Sequence, residues 1–176
     1  MLKLTNAQIQ QMIVQARRAV PNETWGILGG KDGRALQVYP MTNVHATPVT
    51  RYAADPQELL RVVREIEEVK GWEIAAIYHS HPATVGYPSA TDIAEAHYPD
   101  SIYILISLMN PEQAVVRGYR IVDGQVTEIT LEVEDESSGT DRRGVARRAN
   151  RPRARRTVSA LSQRRSRRGQ TRRARR

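Results

Sequence analysis

The charge of this chain is split at one point, and the split limits how much of it can fold. All 19 acidic residues lie at or before Asp141, where they outnumber 11 lysines and arginines; the 35 residues beyond hold 16 arginines and no acid. The net charge of +8 therefore describes neither part, because residues 1–141 alone carry −8. A segment so dominated by one charge cannot bury enough apolar surface to offset its chain entropy. Apolar patterning fades from Glu134 onward, and Ser137-Ser138-Gly139 has linker composition. The expected organisation is one ordinary domain over 1–134 followed by a disordered, arginine-rich tail over 135–176.

With no cysteine in the chain, disulfides, zinc–thiolate sites and cysteine nucleophiles are excluded. Met1 to Thr5 lacks the apolar core of a signal peptide, and no run approaches the roughly 18 apolar residues that span a bilayer. A cytoplasmic protein with no membrane partner is expected. The arginines of the tail can meet nucleic acid or another polyanion through phosphates, without reading sequence. No aromatic residue interleaves them, so they form no base-stacking platform, and a dispensable extension is the other reading. The oligomeric state is left open.

Thr5 or Asn6 can cap a first helix with Ile9, Met12, Ile13 and Ala16 on one face and Pro21 just past its end. Residues 25–28 read as a short buried strand ended by Gly29-Gly30, and 35–41 as its hairpin partner across Lys31-Asp32-Gly33. After an irregular stretch, Asp55-Pro56 opens an amphipathic helix carrying Leu59, Val62, Val63, Ile66 and Val69, closed at Gly71. Strand 74–78 leads into a loop and a helix over about 89–96. Three strands follow, near 102–108, 115–122 and 126–133, with Asp123-Gly124 as the last turn.

Strand 74–78 runs into Tyr78-His79-Ser80-His81-Pro82. On an extended strand, residues two apart share a face, so the imidazoles of His79 and His81 can converge on one point. Asp92, eleven residues on in Pro88-Ser89-Ala90-Thr91-Asp92, can be carried back there by the first turn of a helix. Two imidazoles and a carboxylate leave a position open for water, the donor set of a hydrolytic zinc site rather than a structural one. Taken singly, the histidines could be hydrogen-bonded core residues and Asp92 a first-turn acid favoured by the helix dipole. Ser89 can cap the helix after it. His45 and His97 lack partners at ligand spacing and read as loop histidines; Trp25 and Trp72 read as packing.

These residues, with Glu23 far upstream in Pro21-Asn22-Glu23-Thr24-Trp25-Gly26, resemble the motif of the JAMM (MPN+) metalloprotease family: a glutamate, then His-x-His-Pro, then Ser-x-x-Asp. The likeness runs from about residue 2 to 133. Within that family, Pro40-Met41-Thr42-Asn43, Ile77-Tyr78-His79-Ser80-His81 and Tyr119-Arg120-Ile121-Val122-Asp123-Gly124 look most like small bacterial enzymes of the CysO-cysteine peptidase type. The resemblance implies an α/β domain, a mixed α+β sheet flanked by helices in the cytidine-deaminase-like manner. It implies one Zn²⁺ per chain on His79, His81 and Asp92, with Glu23 as general base. It gives Ser89 the role of oxyanion donor, which is hard to combine with capping by the same hydroxyl. From their own chemistry, Asn43 is expected to orient the site's loop or a substrate backbone, and Pro82 to set the chain direction after the second ligand. The implied substrate is the C-terminal Gly-Gly tail of a ubiquitin-like or sulfur-carrier protein, with cysteine or a protein amine leaving. Trp25 departs from the cysteine common in bacterial relatives, which touches local packing and not the motif. Two readings compete with the hydrolase: a non-catalytic MPN scaffold, and a RadC-like nucleic-acid protein acting through the tail.

Overall fold

The computed structural model describes residues 1–135; the expected tail lies outside the described residues except for Asp135. Eight strands form one mixed sheet. In chain order they are β1 (Leu2–Thr5), β2 (Trp25–Lys31), β3 (Arg34–Met41), β4 (Glu73–His81), β5 (Ile102–Ser107), β6 (Val115–Val122), β7 (Gln125–Ile129) and β8 (Leu131–Glu134). The helices are α1 (Asn6–Ala19), α2 (Pro56–Arg64) and α3 (Ala90–Ala94). The α/β class with a mixed sheet is as expected. Among the described residues no helix is long and apolar enough to cross a membrane.

Across the sheet the order is β7-β6-β5-β4-β2-β3-β1-β8. The two edge strands, β7 and β8, are consecutive in the chain and separated only by Thr130. One residue spans less than about 4 Å, so the sheet must curl until its two edges nearly meet. Leu2 N–H bonds to the Thr130 carbonyl at 3.1 Å, carrying the β1–β8 ladder up to this joint. The single strand expected over 126–133 is therefore two. β1 was not expected either: Leu2 and Leu4 are each 1 % exposed and lie between β3 and β8.

Alternation along the central strands divides the core between the two faces of the sheet. Ala76, Tyr78, Ile104 and Ile106 pack with Met12, Ile13 and Ala16 of α1. Ile77, Tyr103 and Leu105 pack on the other face with Val62 of α2, Ile66, Trp25 and Tyr39. Burying each such aliphatic or aromatic side chain is worth about 1.5–3 kcal/mol, which makes the two central strands the rigid base of the site.

Thr5 ends β1 and caps α1: its hydroxyl accepts from Gln8 N–H at 3.2 Å, and its own N–H donates to Gln8 Oε1 at 2.9 Å. Asp55 caps α2 by accepting from Gln57 and Glu58 N–H. The helix expected to run on to Gly71 changes winding after Arg64. Over Glu65–Val69 it takes the wider i→i+5 form, with Lys70 N–H on the Glu65 carbonyl at 3.0 Å. Both hairpin turns hold, with Asp32 and Gly33, and Asp123 and Gly124, at positive φ as type I′ turns require. Gly29-Gly30 does not end β2. The register slips there, and a Cβ on Gly30 would stand 2.3 Å from the Arg34 carbonyl oxygen, so the glycine permits a bulge inside a longer strand.

Candidate active site

β4 is central and pairs antiparallel with β2 and parallel with β5. Its pleat sends Tyr78 and Ser80 to one face and Ile77, His79 and His81 to the other. In the β2–β4 register Trp25 lies opposite His79, and Ser80 N–H donates to the Thr24 carbonyl at 2.9 Å. The Ser80 hydroxyl in turn accepts from Thr24 N–H at 3.0 Å. Extended by two residues, this register sets Glu23 across from His81. The glutamate's backbone leaves the ladder here: its N–H donates to the Pro48 carbonyl at 2.7 Å, and its carbonyl accepts from Asn43 Nδ2 at 2.9 Å.

Asp92 arrives from the other direction. Ser89 Oγ accepts from Asp92 N–H at 3.2 Å while Ser89 N–H donates to Asp92 Oδ2 at 2.6 Å, a reciprocal capping box. That box starts α3, which spans five residues rather than the eight expected. The Asp92 carboxylate lies 3.2 Å from His79 Nε2 through Oδ1 and 3.4 Å from His81 Nε2 through Oδ2. The two Nε2 atoms are 3.1 Å apart. One donor atom from each residue falls within 4.8 Å of the others.

Three inward-facing donors this close must share protons or a cation. In the metal-free protein the shared protons show in the titration of each group. Burial opposes the charge on Asp92, but hydrogen bonds from both histidines and Ser89 prevail and hold its carboxyl well below the usual carboxylate range. Burial pushes His79 down. At His81 burial also lowers, but bonds to Asp92 and to the Val85 carbonyl outweigh it and the net shift is upward. His81 Nδ1 lies 2.9 Å from Val85 O. A proton on Nδ1 shared with that carbonyl leaves the Nε2 lone pair for the centre, the usual outer-sphere arrangement of a metal-binding histidine. Two imidazoles and one carboxylate, without sulfur, fit a catalytic divalent ion with an open position.

A cavity of about 420 Å³ opens beside this centre and is lined by Glu23, His81 and Ser89, with Pro21, Val49 and Pro82 among its walls. Burial is the main cause that raises Glu23 to about 7; His81 pulls it down and Asp92 pushes it further up. A larger cavity of about 700 Å³, between Met1, Trp72 and Arg120, contains none of these groups.

All five motif residues are thus brought to one place. Asn43 bridges the loop: its Nδ2 donates to Glu23 O and Arg51 O, and its Oδ1 accepts from His45 and Ala53 N–H. His45 is a loop residue, bonded to Thr47, and His97 is exposed. Trp25 is buried and packs in the core, with Nε1 on the Thr42 carbonyl. Tyr52 was missed. Its ring packs against both Trp25, centroids 5.4 Å apart, and His79, centroids 4.9 Å apart. The supports of the 84–86 loop were also missed: Ser107 Oγ on Thr84 O and the Tyr119 hydroxyl on Gly86 O, each at 2.5 Å. An aromatic residue in a stretch without periodicity was the only sign of Tyr52.

A curled mixed sheet with a His-His-Asp centre at the carboxyl end of β4 defines a hydrolase of the JAMM type. The chain belongs to the family described as prokaryotic homologs of the JAB domain, whose model matches residues 5–122. Over 130 residues, 73% of this chain and 88% of the relative, it is 42% identical to a CysO-cysteine peptidase of Mycobacterium tuberculosis. It is 41% identical over 81 residues, 46% of this chain and 53% of the relative, to a probable TtuB-protein conjugate cleaving protease of Thermus thermophilus. Among solved structures, protein DSY2949 of Desulfitobacterium hafniense superposes with a TM-score of 0.70 at 36% identity, covering 77% of this chain and 94% of its own.

Proposed function

We propose that this chain is a zinc-dependent peptidase or isopeptidase that hydrolyses the amide bond after the C-terminal Gly-Gly of a sulfur-carrier or ubiquitin-like protein. The observation that carries this reading is the meeting of Glu23 and Ser89, in one cavity, with the three-donor centre of His79, His81 and Asp92. His79, His81 and Asp92 would hold zinc, which when bound would supply a Lewis acid for the scissile carbonyl and lower the pKa of water towards neutrality.

The chain's own groups do the rest. Glu23 takes the proton from the attacking water and passes it to the leaving amine, and its raised pKa suits a base that must release what it takes. Ser89 donates its hydroxyl proton to the developing oxyanion. The cap uses an oxygen lone pair, since Asp92 N–H is the donor, so the O–H that otherwise turns to the Asp92 carboxylate can swing to the oxyanion without breaking the cap. Walls such as Pro21, Val49 and Pro82 favour a slim backbone without side chains.

The leaving group is cysteine in the name of one relative and a protein in that of the other, and the longer match favours a carrier–cysteine adduct. A scaffold without catalysis fits poorly, because no motif position is lost. We assign catalysis to residues 1–134. The arginine-rich tail, and with it any contact to nucleic acid, falls outside the described residues. The test is intact-mass analysis of carrier and ubiquitin-like proteins bearing C-terminal extensions, incubated with the full chain and with a chain ending at residue 141. Cleavage directly after Gly-Gly by both, abolished by a chelator and restored by zinc, is expected. Cleavage that survives chelation would overturn the zinc role, and no cleavage of any extended carrier would overturn the substrate class.

A further inference from the structure

The two histidines of the centre are held in different ways. His81 is oriented by the Val85 carbonyl on its Nδ1. His79 is 1 % exposed, and its Nδ1 is the buried side-chain polar atom without a hydrogen-bond partner among the described residues. The bond that usually fixes a metal-binding imidazole is absent there. Rings take its place. The His79 ring is flanked by His81, centroids 5.0 Å apart with planes at 61°, and by Tyr52 at 4.9 Å and 32°. Tyr52 is backed in turn by Trp25 at 5.4 Å and 26°, and Trp25 is tied down by its Nε1–H on the Thr42 carbonyl at 3.0 Å.

Resting on the zinc reading above, we infer that Tyr52 is a positioning residue whose ring, backed by Trp25, holds the His79 imidazole in the plane that aims Nε2 at the centre. A ring packed against a tilted neighbour at 4.9 Å resists rotation about its Cβ–Cγ bond, which carries a broad, weak torsional preference of its own. The working part is the ring and not the phenol.

The test compares Tyr52→Phe, which keeps the ring, with Tyr52→Leu, which keeps an apolar side chain without one. Zinc affinity is measured by competition with a chromophoric chelator. In the metal-free proteins, the order parameter of the His79 ring C–H bonds is measured by NMR, with thermal melting as the control for folding. Tyr52→Phe should bind zinc within about twofold of the native chain and keep His79 rigid. Tyr52→Leu should lose about 10–100-fold in affinity, the range for outer-sphere partners, and show a lowered order parameter. Equal affinity and rigidity in Tyr52→Leu would overturn the inference, as would a loss in Tyr52→Phe as large as in Tyr52→Leu. Failure of the native chain to bind zinc would overturn the zinc reading instead, while the order parameters of the metal-free proteins still decide the role of the ring. Should Tyr52→Leu not fold, Trp25→Leu, one ring further out, should give a smaller loss of the same kind, and no change there would also overturn it.

Discussion

Glu23→Gln should flatten one part of the stability profile of the metal-free protein, by an amount the structure allows to be worked. An ordinary glutamate titrates near 4.5 and Glu23 near 7, chiefly because burial disfavours its charge. At 1.36 kcal/mol per pKa unit the difference is about 3 kcal/mol before screening. The carboxyl is only half-buried, so solvent reduces this to about 1–2 kcal/mol. A carboxyl with a folded pKa above its unfolded value supports the fold only while protonated. That support is complete below pH 4.5, drains as pH rises to about 7, and is gone beyond it. Asp92 has the opposite sign, and its contribution is lost only on acidification below the ordinary carboxylate range, outside this window. The histidines titrate in both proteins and largely cancel in the difference. Urea unfolding with a chelator present, at intervals from pH 4.5 to 7.5, should show the native midpoint falling relative to Glu23→Gln by roughly 0.5–1 M. Parallel profiles would refute the argument, because Glu23 would then be solvated and not poised as a base.

Ser89→Ala removes a helix cap and a hydroxyl proton together. It should cost about 1 kcal/mol in unfolding experiments and about 10²–10³-fold in kcat; a kcat unchanged from the native chain would reduce Ser89 to its capping role. Gly26→Ala should destabilise by about 3 kcal/mol or more, since its Cβ would stand 2.4 Å from the Tyr78 ring and 2.5 Å from the Tyr39 carbonyl. Calorimetry decides it, and an unchanged melting temperature would mean that Tyr78 moves aside freely despite its hydroxyl bond to Gln15.

The parts legible in the sequence were those where periodicity and chemistry agreed. The apolar run Ile74-Ala75-Ala76-Ile77 into His79 and His81 marked a strand, and period two put both rings on one side. Pro88-Ser89 announced the cap that delivers Asp92. Other parts carried no local mark. Thr130 divides β7 from β8 without a glycine or proline, and Ile129, Leu131 and Val133 keep their alternation across the break. Leu2 and Leu4 are too short a pattern to read as a strand until β8 lies beside them. The wider turn at Glu65–Val69 answers to packing of Ile66 beneath it, which is a tertiary matter. The placement of Glu23 came from pairing β2 with β4, since spacing along the chain carries no information about register.

Ser89 and Asp92 have a joint consequence for descent. The carboxylate that would grip the ion also accepts the Ser89 amide hydrogen at 2.6 Å, so the ligand is already held still before any ion arrives. A lineage that discarded metal chemistry by changing either residue would lose the opening of α3 as well. Inactive descendants of such a domain should therefore carry a replacement cap at the start of that turn, a signature that can be sought wherever the histidines have been lost.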